Sequence, residues 1–403
     1  MTDGETNILT PTPDEQKLIW EFRGKEPHGV ALRLRKSDTV RPSFVAEQIG
    51  GWNRLTAKVP SWAGCEGLFF PFPVAIQQCS SEAVARWRAS LIRGGRHVDL
   101  TGGLGVDCFF MGRNVESVTY VDADERAVAA ARHNFSLLGV TNTTFVCRTA
   151  EDFLAGAGSH FDSIFVDPSR RSSSGGRVFR IADCAPDVEK WAARMLEVAD
   201  VVLIKLSPLL DVSIIVSQLP CVTDVYALGA NGECKDLVVR LSQDHTGEPQ
   251  CHAVAVADDG TGQDFSFLKS DEDGAPHEIA DGIASYLFEP SPQLMKMSPF
   301  RLLGKRYGVR PLSAATHVFT SDVDVPDFPG RRFRIEAVFD SGKKGCAALK
   351  KATESASIVV RNYPIGADEL RSKLKMKEDD NTFVFGVTLS GGGQKLVLCH
   401  RLV

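Results

Sequence analysis

The run Asp99-Leu100-Thr101-Gly102-Gly103-Leu104-Gly105 joins a carboxylate to a glycine-rich turn, and Asp107 follows two residues later. Glycines in such a turn let the backbone approach a ligand closely, and open α/β sheets bind nucleotides at the carboxyl ends of central strands. Gly103 and Gly105 depart from the dinucleotide pattern G-x-G-x-x-G, because Cys108 holds the place of the third glycine. Directly before it stands Asp107, whose carboxylate at a helix start would repel a pyrophosphate. A zwitterionic nucleoside bearing an ammonium and a sulfonium is the better match, since Asp99 and Asp107 offer it negative partners.

Three further acidic positions follow in chain order. Asp122 lies 23 residues after Asp99 at the end of the next apolar run, where a carboxylate accepts both hydroxyls of a ribose; as a lone residue it reads equally well as the N-cap of a helix over 124–138. Glu151 and Asp152 follow the third apolar run, and either is placed to meet an adenine amino group. The fourth run ends in Asp167-Pro168-Ser169-Arg170-Arg171. There Asp167 is expected beside the reacting group, orienting or deprotonating it, with Arg170 and Arg171 on a phosphate or base edge.

Such residues need a sheet to hold them. Short apolar runs at 97–100, 117–121, 143–147, 161–166, 200–205, 222–228 and 236–241 alternate with amphipathic segments such as 125–138 and 188–198. That alternation predicts a mostly parallel seven-stranded sheet covered on both faces, an α/β Rossmann-like core. Ahead of it, residues 12–60 have helical spacing broken by Pro27 and Pro42, and Ser80 or Ser81 offers an N-cap to a lead-in helix. Behind it, residues 244–282 are rich in Asp, Gly, Ser and Thr and predict a hairpin and a flexible linker. Then come a helical piece over 286–303, strands at 316–320, 331–339, 356–361, 382–388 and 395–399, and a basic helix over 343–351, enough for small α+β units.

A chain of 403 residues exceeds one ordinary core. The expected division is a helical region with its lead-in over 1–85, the α/β core over 86–245, a hairpin and linker over 246–282, and α+β domains over 283–335 and 336–403.

The central block resembles the class I methyltransferases: DLTGGLG at 99–105 looks like their first motif, VDAD at 121–124 their ribose motif, and VDPSRR at 166–171 their fourth. Thr101 stands where many of them carry a first glycine. KVPSW (58–62), QCSSE (78–82), IKLSP (204–208), NGECKD (231–236), YLFEP (286–290), FTS (319–321), FPGRRF (328–333) and RNYPIGADEL (361–370) extend the likeness from about residue 40 onward. Together these stretches resemble the bacterial family that joins a class I methyltransferase core to a small ferredoxin-like domain and a C-terminal THUMP-like domain, a group of predicted RNA methyltransferases. The resemblance implies S-adenosylmethionine as cofactor, held by Asp99, Thr101, Gly102, Gly103, Gly105, Asp107, Asp122, Glu151, Asp152, Asp167 and Pro168, and RNA, tRNA or rRNA, as substrate.

Departures narrow the chemistry. Enzymes that methylate exocyclic amines carry Asn/Asp-Pro-Pro-Phe/Tyr, where this chain has Ser169 and Arg170 at the last two positions. Uracil carbon-5 methyltransferases need a nucleophilic cysteine on the next motif, but here that run ends Lys205-Leu206-Ser207-Pro208. Thr149 replaces the aspartate common before the alanine of the third motif. Cys234, beside Lys235, has neighbours suited to lowering its pKa and is equally readable as structural.

The ten cysteines are scattered singly without C-x-x-C pairs, so reduced thiols and no metal are expected. No apolar run approaches the ~18 residues that span a bilayer, and the acidic N-terminus lacks a secretory pattern, so a cytoplasmic protein is expected. Net charge is −5, yet residues 283–403 hold 19 Lys plus Arg against 12 Asp plus Glu, a net of +7, while the remainder hold 27 against 39. That asymmetry favours a polyanion partner. Candidate RNA contacts are Arg331, Arg332, Arg334, Lys343, Lys344, Lys350, Lys351, Arg371, Lys373, Lys375 and Lys377, with Phe333, Tyr363 and Phe383 available to stack, although Phe333 and Phe383 alternate as buried strand residues do. A methyltransferase of small molecules or proteins, and a non-catalytic RNA-binding protein, are the alternatives.

Overall fold

In the computed structural model, which describes residues 10–71, 76, 79–170 and 181–402, the N-terminal prolines begin helices where the sequence pattern suggests breaks. Pro13, Pro27 and Pro42 each open one, at Pro13–Phe22, Pro27–Leu34 and Pro42–Lys58. A missing N–H costs nothing in a first turn, and proline's fixed φ already suits it. Thr12 and Glu15 form a capping box on the first helix. The buried Glu15 carboxylate also accepts from Arg41 Nε at 2.8 Å, which holds its pKa down to about 2 and ties the first helix to the start of the third.

These helices share an apolar core with the glycine-turn region. Trp62 is fully buried and meets Phe109 and Phe135 edge-on, with ring centroids 5.2 and 6.4 Å away. Ile19, Val45, Trp52 and Leu55 belong to the same apolar cluster.

The chain divides into two compact units, one of residues 1–230, 235–249 and 254–264 and one of 231–234, 250–253 and 265–403. The first eleven strands are β1 (Gly94–Asp99), β2 (Val115–Asp122), β3 (Thr143–Cys147), β4 (Phe161–Val166), β5 (Ser169–Arg170), β6 (Cys184–Ala185), β7 (Ala199–Leu206), β8 (Val222–Ala230), β9 (Glu233–Ser242), β10 (Gln250–Val256) and β11 (Gly262–Leu268). Nine of them form one sheet in the order β11-β10-β8-β9-β7-β4-β1-β2-β3, with β5 and β6 paired separately. β1 pairs in parallel with β2 and β4, β2 with β3, and β4 with β7, whereas β9 runs antiparallel to β7. The expected seven strands are therefore present, and β10 and β11 continue the sheet as two more. The central strands read as apolar runs because both faces are covered: Ile164, Phe165, Val166, Val202, Leu203 and Ile204 are all buried. Helix Glu125–Leu137 turns Ala127, Val128, Ala131 and Phe135 inward.

The segment expected as a flexible linker is ordered. After β11, helix Lys269–Gly274 presents the buried Glu272, whose carboxylate accepts from the Arg301 and Leu302 amides at 2.9 Å each. The helical reading of 286–303 is corrected as well. Tyr286–Pro290 is a strand, β12, and the helices are Pro292–Met297 and Phe300–Tyr307. Leu287 and Phe288 are fully buried because β12 lies between two other strands. The rest are β13 (Arg310–Pro311), β14 (Phe319–Ser321), β15 (Gly330–Asp340), β16 (Ser357–Arg361), β17 (Thr382–Thr388) and β18 (Gln394–Leu402), in one sheet of order β13-β14-β12-β15-β18-β17-β16. No helix among the described residues is long and apolar enough to cross a membrane.

Truncating Trp62 to Ala should cost about 3–5 kcal/mol of stability, as for large aromatic-to-alanine changes in cores. Denaturant unfolding checks this; a loss under about 1 kcal/mol would mean that the N-terminal helices do not share the core.

Candidate active site

The glycine turn is built between three strand ends. From β1 the chain runs into Leu100, whose amide donates to Phe165 O at 2.9 Å, and Thr101, whose hydroxyl accepts the Asp167 amide at 2.7 Å. Thr101 thus clamps the first turn to the residue just after β4. On the other side Gly102 N donates to Val121 O at 2.9 Å, Gly103 N to Asp122 Oδ2 at 2.8 Å, and Tyr120 Oη to Gly103 O at 2.6 Å. A Cβ on Gly102 would sit 2.1 Å from the Tyr120 ring, and one on Gly105, at φ +85°, 2.7 Å from Phe135. Gly103 is different: at φ +54°, its would-be Cβ meets nothing nearer than Thr101 O at 3.9 Å, so this side of the turn is open.

Asp99 is buried, and its Oδ1 accepts the Thr101 amide at 3.0 Å. Burial, reinforced by Asp107, Asp167 and Asp122, pushes its carboxyl well above the usual range. Asp122 is not the helix cap; Asp124 is, accepting from Arg126 N at 2.9 Å. The oxygens of Asp122 instead take the Gly103 and Asp124 amides. Neither Asp99 nor Asp122 has an ion-pair partner among the described residues. Thr149 caps helix Ala150–Ala155 through the Asp152 amide at 3.0 Å, leaving Glu151 half-buried and Asp152 exposed.

Asp107 differs from the sequence expectation of a carboxylate waiting for a ligand. Its Oδ1 accepts from Arg88 Nε at 3.0 Å and Nη2 at 2.6 Å, and its Oδ2 from Ser80 Oγ at 2.6 Å. Arg88 has no exposed side-chain surface, and its Nη1 reaches Asp236 Oδ2 at 2.6 Å. Burial would raise the Asp107 pKa, but Arg88, Lys205 and Ser80 outweigh it and keep the group ionised.

Next to this network stands a pair absent from the sequence expectations. Lys205 Nζ, near the end of β7, lies 2.6 Å from Asp167 Oδ2 and 3.5 Å from Ser80 Oγ. Burial acts to lower the Lys205 pKa, yet Asp167 and Asp236 raise it and hold the ammonium charged. Burial pushes the Asp167 carboxyl upward against the pull of Lys205. The signals were in the sequence: Lys205 is a charge inside the apolar run VVLIKL, and Arg88 shares the inward face of its helix with Val84, Ala85 and Ala89. Their partners, up to 148 residues away, gave no local sign.

Arg171 and residues 172–176 lie outside the described residues, and of Arg170 only the backbone is described, paired with Cys184 between β5 and β6. In the second unit the buried Glu289 holds Arg331 Nε at 2.7 Å and Arg361 Nη2 at 2.5 Å, while Arg332 pairs with Asp324 at 2.6 Å. Phe333 and Phe383 are buried and Tyr363 is half-buried. Arg334, Lys343, Lys344, Lys350, Lys351, Lys373, Lys375 and Lys377 are exposed, Arg371 is half-buried against Glu378 at 2.8 Å, and Cys234 is half-buried. A cavity of about 310 Å³ is lined by Arg301, Lys305 and Arg310, with Phe300 stacked on His317 at 4.1 Å between centroids.

Residues 80–176 match the family model described as conserved hypothetical protein 95, residues 286–329 a ferredoxin-like domain, and residues 330–401 a THUMP domain-like model. An uncharacterized S-adenosylmethionine-dependent methyltransferase of Mycobacterium tuberculosis, from strains CDC 1551 and H37Rv alike, is 26% identical over 311 residues, spanning 75% of this chain and 80% of the relative. The crystal structure of a Porphyromonas gingivalis W83 protein described as a methyltransferase is 30% identical, covers 100% of both chains and superposes with a TM-score of 0.87. This chain belongs to the same family of S-adenosylmethionine-dependent methyltransferases with ferredoxin-like and THUMP-like domains. The methyltransferase sheet carries the glycine turn, Asp122 and Asp167 at or just after strand ends, with Glu151 in the helix that follows β3, while Ser80, Arg88 and Lys205 join them from outside those motifs.

Replacing Arg88 of this methyltransferase by Met should destabilise it by about 3–5 kcal/mol, since breaking a buried pair strands Asp107 and Asp236. Adding Asp107→Asn and Asp236→Asn should recover part of the loss; denaturant unfolding of the single and triple variants measures both.

Proposed function

We propose that this methyltransferase transfers the methyl group of S-adenosylmethionine to RNA, tRNA or rRNA. The observation that carries the cofactor assignment is charge: Asp99 and Asp122 flank an open glycine turn without an internal cation, which suits a ligand that brings its own. Asp122 takes the ribose hydroxyls through the lone pairs its two amides leave free. Glu151, the more buried of the two candidates, takes the adenine amine. Asp99 faces the positive end, with Thr101, Gly102, Gly103, Gly105 and Pro168 shaping the cradle. Asp107 acts from behind by holding Arg88 and Ser80. When bound, the cofactor supplies an electrophilic methyl on a sulfonium. Asp167 meets the acceptor, and Arg170 and Arg171 hold a phosphate or base edge.

For RNA the support is the net +7 of residues 283–403 and the THUMP-like match. With Arg331 and Arg332 engaged in ion pairs, the surface left for phosphates is that of Arg334, Lys343, Lys344, Lys350 and Lys351 together with Lys373, Lys375 and Lys377. Placing the work in the cytoplasm accords with this reading.

Calorimetric titration should give micromolar binding of S-adenosylmethionine and none of NAD. Asp122→Ala should weaken it by about 1.5–3 kcal/mol, the range for hydrogen bonds to a charged group. A cation beside Asp99 favours its carboxylate form, so the affinity should also rise with pH as that carboxyl titrates. Preference for NAD would remove the assignment.

RNA affinity should fall steeply with salt, with a log–log slope of roughly −0.7 for each single-strand phosphate neutralised. Filter binding between 50 and 200 mM salt tests this, and a flat profile refutes the lysine surface.

A further inference from the structure

We infer that the atom methylated is a hydroxyl oxygen, the 2′-hydroxyl of a ribose in RNA, with Asp167 accepting the hydroxyl proton and Lys205 supporting the oxygen. The inference rests on the RNA reading above and on the juxtaposition of Asp167 and Lys205 at the ends of neighbouring parallel strands. Lys205 comes directly after Ile204, which pairs with Val166, so Asp167 and Lys205 leave β4 and β7 side by side. The lysine side chain is 12% exposed and the aspartate 36%, so an acceptor can reach the carboxylate, with the ammonium 2.6 Å behind it.

Charge decides among acceptors. An amine attacking a methyl group develops positive charge on its nitrogen, which the Lys205 ammonium beside Asp167 opposes. Nor does the chain offer the aromatic ring that stacks on a flipped amine, because Arg170 stands at that position, in β5 paired with β6. A uracil carbon-5 acceptor needs a cysteine thiolate, but Cys79, the cysteine beside Ser80, donates to Ile76 O at 3.2 Å and burial pushes its thiol up to about 11. A hydroxyl develops negative charge on oxygen as it loses its proton, and both members of the pair suit it. The ammonium stabilises that oxygen, and the aspartate, made more basic by burial, is a fitting proton acceptor. Within an RNA strand the ribose 2′ position carries the hydroxyl.

The step balances. The oxygen bonds to the methyl carbon as the carbon–sulfur bond breaks, the sulfonium leaves as a neutral thioether, and the hydroxyl proton passes to Asp167. Lys205 keeps its protons throughout.

The test incubates the full chain with S-adenosylmethionine labelled in its methyl group and with unmodified transcripts of bacterial tRNA and rRNA, and then hydrolyses the RNA in alkali. A 2′-O-methyl group blocks cleavage of the adjacent phosphodiester, so label is expected in alkali-resistant dinucleotides. Label in mononucleotides would overturn the hydroxyl assignment and leave the RNA methyltransferase reading standing. No label in RNA, with cofactor binding intact by calorimetry, would overturn that reading and this inference with it. Lys205→Met should lose on the order of 100-fold in transfer, the scale of one lost oxyanion donor, while its melting temperature and its calorimetric affinity for S-adenosylhomocysteine stay near wild type. Lys205→Arg, which restores the cation, should recover part of the rate; Lys205→Met transferring at the wild-type rate would also overturn the assignment.

Discussion

A guanidinium with no exposed side-chain surface has to be neutralised where it lies, and Arg88 is such a group. Asp107 and Asp236 do so from two distant parts of the chain, the helix after the glycine turn and β9. Ionic networks of this kind contribute little net stability against an apolar replacement, but once present they admit few arrangements. Ser80 is fixed by donating to Asp107, and Lys205 lies between Ser80 and Asp167. The place of Asp167 is therefore set by a charge that never meets solvent.

The acidic groups of the site fall into two sets. Asp107 and Asp167 have cations supplied by the chain, whereas among the described residues Asp99 and Asp122 are met by backbone amides. Asp99, buried and without a cation, is pushed well above the usual carboxylate range by its burial, with the neighbouring carboxylates adding to the shift. A ligand carrying positive charge relieves it and a pyrophosphate worsens it. In the cofactor assignment proposed above, selectivity for a sulfonium nucleoside over a dinucleotide rests on which carboxylates the protein leaves without a countercharge.

Short-range constraints are what made parts of this fold legible in the sequence. The glycine turn is readable because Tyr120 and Phe135 leave no room for a Cβ at Gly102 and Gly105, and the central strands because burial on both faces demands apolar runs. Thr101, in the place of a family glycine, keeps the turn through its hydroxyl, a function its neighbours in sequence do not announce. β12 was misread as helix because five residues ending in proline carry too little periodicity to separate strand from helix. Arg88 and Lys205 escaped for the converse reason: each is a charge among apolar residues, and the partners that explain it are brought near only by the completed sheet.

Folding also redistributes the charge that the sequence counts. Arg331, Arg332 and Arg361 contribute to the basic balance of the C-terminal part, yet Glu289 and Asp324 bind them within it, and Glu289 is itself buried. Glu289 is a strand residue of β12, so these arginines serve the pairing of strands before they serve any partner. The candidate surface remaining for a polyanion is Arg334 and the exposed lysines of helix Lys343–Ala352 and of residues 373–377. Lys350 donates to Lys373 O at 3.0 Å and the other lysines stand exposed, point charges suited to a phosphate backbone rather than to reading bases. Under the RNA assignment proposed above, choice of the methylated nucleotide falls to the site around Asp167, whose carboxylate Lys205 holds at 2.6 Å.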